Sequence, residues 1–107
     1  MPKYLFEASY TADGAKGLLK DGGSKRRAAV EALVKGLGGR LEAFYFAYGD
    51  ADAFVIVDLP DSASATAVSL TVAASGAVRV KTIVLIAPEE VDQAVKKTIA
   101  YRAPGAK

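Results

Sequence analysis

Arg40-Leu41-Glu42-Ala43-Phe44-Tyr45-Phe46-Ala47-Tyr48-Gly49-Asp50-Ala51-Asp52-Ala53-Phe54-Val55-Ile56-Val57-Asp58-Leu59 sets two runs rich in aromatic and β-branched residues on either side of a Gly/Asp cluster. Branched and aromatic side chains pack well on a pleated surface, and Gly and Asp accept turn conformations. The stretch reads as a β-hairpin, with strands over Arg40–Tyr48 and Ala53–Leu59 joined through Gly49–Asp52. An isolated hairpin is marginal in water, so the flanking sequence has to supply further strands or helices to cover it.

Upstream, Lys3–Tyr10 alternates, with Tyr4, Phe6 and Ala8 on one side and Lys3, Leu5, Glu7 and Ser9 on the other. That is the period of a strand with one buried face. Thr11 is placed to cap a short helix over Ala12–Lys20, which Gly22-Gly23 ends. Ser24 then caps an amphipathic helix whose apolar stripe is Val30, Leu33, Val34 and Leu37, stopped at Gly38-Gly39. Leu33 is expected in the core. Downstream, Pro60-Asp61-Ser62 breaks the strand and caps an Ala/Ser-rich helix running to about Ser75 and closed by Gly76. Ala77–Ile86 alternates again, and Pro88 opens a last short helix with Glu89 and Glu90 near its positive end. A tail over 98–107 contains Pro104 and Gly105 and is expected to fray or to serve a partner chain.

The main order is strand, helix, strand, strand, helix, strand, an α+β pattern of the ferredoxin-like βαββαβ type. Its expected sheet is antiparallel, four-stranded and ordered 4-1-3-2, with the helices on one face. The other face is left bare. Leu5, Phe54, Ile56, Ile83 and Leu85 fall on it, too much apolar surface for a monomer to leave wet. A second sheet is expected to cover it, giving a homodimer or larger homo-oligomer built as a dimeric α+β barrel with a cleft between the sheets.

Composition narrows the class further. With 107 residues, 51% hydrophobic and 24% charged, the chain fits a single globular domain over 1–107. It contains no cysteine and no histidine, which excludes disulfides, thiolate nucleophiles, Ser-His-Asp catalysis and imidazole-ligated metals. A net charge of +2 is too small to argue for nucleic acid, and no apolar run is long enough to span a bilayer. RNA-recognition motifs share this strand order, but their Lys/Arg-Gly-aromatic signature is absent. The N-terminal Met1–Glu7 has no apolar signal core, so the expected compartment is the cytoplasm.

The stretch Tyr45–Asp61 resembles the signature of the bacterial GYD domain family, and the block Gly22-Gly23-Ser24-Lys25-Arg26-Arg27 with the helix after it is similar to that family as well. The resemblance covers nearly the whole chain. It implies a ferredoxin-like fold related to dimeric α+β barrel proteins and assigns no activity. The family's hairpin usually reads Gly, any residue, Tyr, Asp; here Gly49 and Asp52 match its ends and Ala51 stands where the tyrosine is expected.

Three constellations are candidates for chemistry. The first is the polar set of the open face, Lys3, Glu7, Ser9, Tyr45, Asp58, Arg79 and Lys81. Glu7 is expected beside Lys81, and Lys3 beside Asp58. Plain cross-strand ion pairs, contributing ~0.2–1 kcal/mol each, account for such a set without any ligand. If the set lines a cleft, Glu7, Ser9, Tyr45, Asp58, Arg79 and Lys81 would bind a small organic molecule. Glu7 or Asp58 would then serve as acid or base, with Tyr45 as donor to an oxyanion. One residue of slip in the first hairpin strand would exchange Tyr45 for Tyr48 on that face and make Glu42 and Arg79 ambiguous too. The second is Ser24, Arg26 and Arg27, a candidate anion site where basic side chains meet a helix start. The third is Asp50, Asp52, Asp58 and Asp61, which lack EF-hand spacing and read as turn formers, so neither metal nor cofactor is expected. The leading expectation is an oligomeric small-molecule-binding protein. A cofactor-free isomerase or oxygenase and a purely structural or regulatory oligomer are the alternatives.

Overall fold

A computed structural model describes residues 1–106. In chain order its elements are β1 (Lys3–Tyr10), α1 (Ala12–Asp21), α2 (Gly23–Gly36), β2 (Arg40–Phe46), β3 (Ala53–Asp58), α3 (Ser62–Ala74), β4 (Val78–Leu85) and α4 (Pro88–Ala94). The strands form one antiparallel sheet in the order β2-β3-β1-β4, which is the 4-1-3-2 arrangement counted from its other edge.

Period-two alternation in β1 sets the two faces. Tyr4, Phe6 and Ala8 are buried, and with Val55 and Val57 of β3 they meet Val34 of α2 and Ala65 and Val68 of α3 in the core. The odd residues of β1 face away from the helices and stay partly exposed. Capping fixes the helix ends. The Thr11 hydroxyl accepts from Gly14 N–H at 3.4 Å and donates to Gly76 O at 2.9 Å, so one residue caps α1 and ties it to the entry of β4. The Asp61 carboxylate accepts from Ser64 N–H at 2.8 Å and starts α3, so the Val68–Val72 stretch is helical despite its β-prone composition.

Several local expectations are corrected. Ser24 does not cap α2; Gly22 does, at φ 81°, with no side-chain bond. Its N–H closes α1 on Leu18 O, so a single left-handed glycine both ends one helix and starts the next. The stop of α2 is as expected: the helix runs to Gly36, Gly38 takes φ 79°, and Gly39 N–H reaches back to Val34 O at 3.0 Å in a glycine-type C-cap. A Cβ on Gly39 would run into the Asp58 carbonyl and the Leu59 side chain, so this turn packs directly on the end of β3. Strand β2 ends at Phe46 instead of Tyr48, and its pairing with β3 shifts between Leu41 and Ala43, leaving Glu42 at a bulge.

Leu33 is the clearest misplacement. It lies on the apolar stripe of α2 but is 37% exposed, whereas Val34, next to it, is 1% exposed. Helix α2 packs through the Val34 edge of its stripe, and the Leu33 and Leu37 edge lines a groove between α2 and α3. Beyond Leu85 the chain leaves the sheet, and no residue of α4 is buried. This projecting arm begins well before the expected tail at 98, and Lys107 lies outside the described residues. Among the described residues no helix is long and apolar enough to cross a membrane.

Leu59, fully buried, and Leu33 therefore separate under truncation. Measured on the dissociated single chain, Leu59→Ala should cost ~2–5 kcal/mol in urea denaturation and Leu33→Ala clearly less. Equal losses would mean that the groove edge of α2 is packed after all.

Candidate functional site

Cross-strand register sorts the open sheet face into rows. Leu85, Lys3, Asp58 and Arg40 make the first; Ile83, Leu5, Ile56 and Ala43 the second; Lys81, Glu7, Phe54 and Tyr45 the third; and Arg79 beside Ser9 begins a fourth. The β2 bulge decides the register question: Tyr45 pairs with Phe54 and stands on the open face, and Tyr48 falls past the end of the strand.

The first row is an ion network. Lys3 Nζ lies 2.9 Å from Asp58 Oδ1 and 3.0 Å from Glu42 Oε1, and Arg40 Nη2 donates to Asp58 Oδ2 at 3.1 Å. Hydrogen bonding to Lys3, reinforced by Arg40, holds the Asp58 carboxyl below the usual aspartate range despite its burial. The bonds to Asp58 and Glu42 hold Lys3 above the usual lysine range. Asp58 is thus held as a carboxylate with both oxygens engaged, an arrangement opposed to proton shuttling near neutrality. The second row is wholly apolar.

The third and fourth rows behave differently. Glu7 and Lys81 are register partners, as expected, yet no ion pair joins them, and Arg79 is likewise outside every ion pair among the described residues. Glu7, Ser9, Phe54, Arg79 and Lys81 line a hollow of about 500 Å³ whose far wall is the β2–β3 connection, Ala47, Gly49, Asp50 and Ala51. Asp52 anchors that wall. Its N–H donates to Ala8 O at 2.8 Å, and its carboxylate accepts from Tyr10 N–H at 2.8 Å, drawing the hairpin tip over the end of β1. Ala51, carried inward by this closure, is buried.

The structure therefore brings together four of the sequence candidates, Glu7, Ser9, Arg79 and Lys81. Tyr45 shares their face and row but lies beyond Phe54 and does not line the hollow, and Asp58 sits at the opposite end of the sheet. Phe54 was not among the site candidates, and the hairpin turn was weighed only for its carboxylates as a metal set, not as the wall of a binding hollow. Phe54 carries the signal of a strand residue out of phase with Val55 and Val57, which reads as interface, and the loop reads as a plain turn. Ser24, Arg26 and Arg27 do not converge: Ser24 and Arg27 flank Phe44 and Phe46, whereas Arg26 lies beside Ala29, Ala77 and Val78 on the other side of α2. Asp52, Asp58 and Asp61 each have a structural partner, and no group of three metal-ligating side chains occurs among the described residues.

A family model for the GYD domain matches residues 4–95. The chain belongs to the GYD domain family. The match starts at the second residue of β1, takes in the other three strands whole and runs one residue past α4, so the hollow and the first part of the arm are within it. Neither the curated proteins nor the solved structures compared contain a match.

The ion network carries a pH signature. Asp58, depressed in the folded state, contributes stability that is complete above the unfolded aspartate pKa of roughly 4 and is lost as pH falls through the lower folded value. Lys3, raised, contributes below roughly pH 10 and loses that contribution as pH rises through its folded value. Asp58→Asn should lower the urea midpoint at pH 7 and make the decline on acidification shallower. An acid limb identical to that of the unmodified protein would remove Asp58 from the account.

Proposed function

We propose that this GYD domain protein binds a small organic anion on the open face of its sheet, in the hollow between rows three and four and the hairpin wall, with a second copy's sheet laid over it. One observation carries the reading: Arg79, Lys81, Glu7 and Ser9 converge, without ion-pair partners of their own, on a hollow of about 500 Å³ floored by Phe54. That volume lies within the range of small-molecule sites, in which an apolar floor and a few placed polar groups are typical. Arg79 and Lys81 face two carboxylates in the lining, Glu7 and Asp50, so the charge balance alone is even; the guanidinium fork and the ammonium, free of ion pairs, support a ligand carrying a carboxylate or phosphate, with Phe54 beneath its apolar or planar body. The apolar second row supports the covering sheet, since Leu5, Ile56 and Ile83 form a continuous patch beside the hollow. A cysteine-free chain of this kind fits a cytosolic setting.

The unpaired Glu7 supports a second reading, a cofactor-free isomerase or oxygenase with Glu7 as base and Tyr45, supplied along the same row or by the covering copy, as hydrogen-bond donor. Glu7→Gln separates the two readings: a binding protein keeps affinity for anions, and an enzyme keeps affinity but loses turnover.

Thermal shift against a panel of small carboxylates and phosphate esters tests the site. A ligand at a hundredfold its Kd stabilises by ~2.7 kcal/mol, which is roughly ten degrees or more for a domain of this size. Arg79→Ala and Lys81→Ala should each weaken the shift and together abolish it, while leaving the unliganded melting temperature nearly unchanged. A panel that shifts these variants and the unmodified protein alike would show binding elsewhere. Sedimentation tests the roof: the protein should run as a dimer or a multiple of it at micromolar concentration, and Ile83→Asp should weaken that assembly. A monomer with its sheet wet would leave the hollow without a cover and end the paired-sheet reading.

A further inference from the structure

Two unmatched apolar features remain once the sheet face is accounted for, and they fit each other. The molecule measures 59 × 32 × 22 Å because residues 86–106 project from the end of β4 as an arm. Val91, Val95 and Ile99, at spacings of four, are exposed along it, the last two at 76%. One further turn follows α4, closed by Lys97 N–H on Ala94 O at 3.0 Å, and residues 98–100 have no regular structure. The second feature is the groove between α2 and α3. A hollow of about 370 Å³ bordered by Val30 and Leu33 on one side and Val68 and Val72 on the other is continued by one of about 250 Å³ reaching Leu37 and Ala67.

We infer that the arm of one copy seats Val91, Val95 and Ile99 in the α2–α3 groove of a second copy. Length and charge both argue for this occupant. The groove edge from Ala29 to Leu37 rises ~12 Å, a length that Val91 to Ile99 would match with the α4 helix extended to Ile99 on seating. The arm is acidic at its start, with Glu89, Glu90 and Asp92, and basic later, with Lys96, Lys97 and Arg102. The groove is basic at its α2 N-terminal mouth, where Arg26 has no acidic partner and its Nε is buried with no acceptor. A buried guanidinium donor without an acceptor is costly, and a carboxylate delivered by the arm would satisfy it. These charges set the polarity: Glu89 and Glu90 at the Arg26 mouth, Val95 over Leu33, and Ile99 toward Leu37.

The absence of native cysteine makes the contact directly testable by disulfide trapping. Full-length chains carrying Leu33→Cys alone and Val95→Cys alone, distinguished by tag length and co-expressed, should give a mixed disulfide dimer on oxidation. Arg26→Glu should cut its yield several-fold, and adding Glu90→Arg to the arm should restore it. Trapping only within one chain that carries both substitutions would mean the arm folds onto its own groove. Trapping of Val95→Cys on Ile83→Cys instead would place the arm on the open sheet. Either result, or no trapped species at all, overturns the inference, and a yield indifferent to Arg26→Glu overturns the assigned polarity. Trapping on Leu33, within or between chains, leaves the anion hollow untouched, whereas trapping on Ile83 would count against the paired-sheet cover as well.

Discussion

Strand β1 hydrogen-bonds on both sides and alternates its side chains without interruption, so it commits the protein to two faces at once. Tyr4, Phe6 and Ala8 must be covered by α2 and α3, and that requirement sends Leu5, Glu7 and Ser9 to the opposite face. A slip of one residue would put Glu7 into the core and Phe6 into water, an exchange no neighbour could offset. Because β3 and β4 take their registers from β1, the positions of Phe54, Arg79 and Lys81 follow from the same burial. The strand-borne half of the candidate site is therefore positioned by the core behind it.

Along the open face, charge is divided by an apolar row. At one end Lys3, Arg40, Glu42 and Asp58 satisfy each other, and at the other Glu7, Arg79 and Lys81 do not. Leu5, Ile56 and Ile83 between them keep the two groups from neutralising one another. Internally paired charges hold the sheet together, whereas unpaired ones near a hollow remain available to a ligand.

Strand positions were legible in the sequence because period two is a local pattern that burial of one face enforces. β1 was read to the residue, and β3 and β4 to within one residue at each end. Two kinds of information were not legible. One is which part of a helical stripe the rest of the fold covers: Val30, Leu33, Val34 and Leu37 form one stripe, but only contact with β1 and β3 singles out Val34. The other is the path of a turn. Gly49–Asp52 reads as a simple reversal, and nothing local tells that Asp52 will bind the β1 backbone and fold Ala51 inward to wall a hollow. The site was half readable for the same reason. Glu7, Ser9, Arg79 and Lys81 come from regular strands, whereas the wall comes from irregular chain. Register also does not specify side-chain contact, so Glu7 and Lys81 were correctly made neighbours without being an ion pair.

The bulge at Glu42 has a consequence for how this face could change. β2 is an edge strand, held on one side only, and its irregularity absorbs one residue just before Tyr45. Glu42 has no partner on β3, so deleting it would leave Arg40, Leu41, Ala43 and Tyr45 on their present partners and faces. The edge strand thus tolerates a one-residue change of length without turning Phe44 or Phe46 out of the core. What such a deletion removes is the second carboxylate on Lys3, so the bulge ties the length of β2 to the charge balance of the first row.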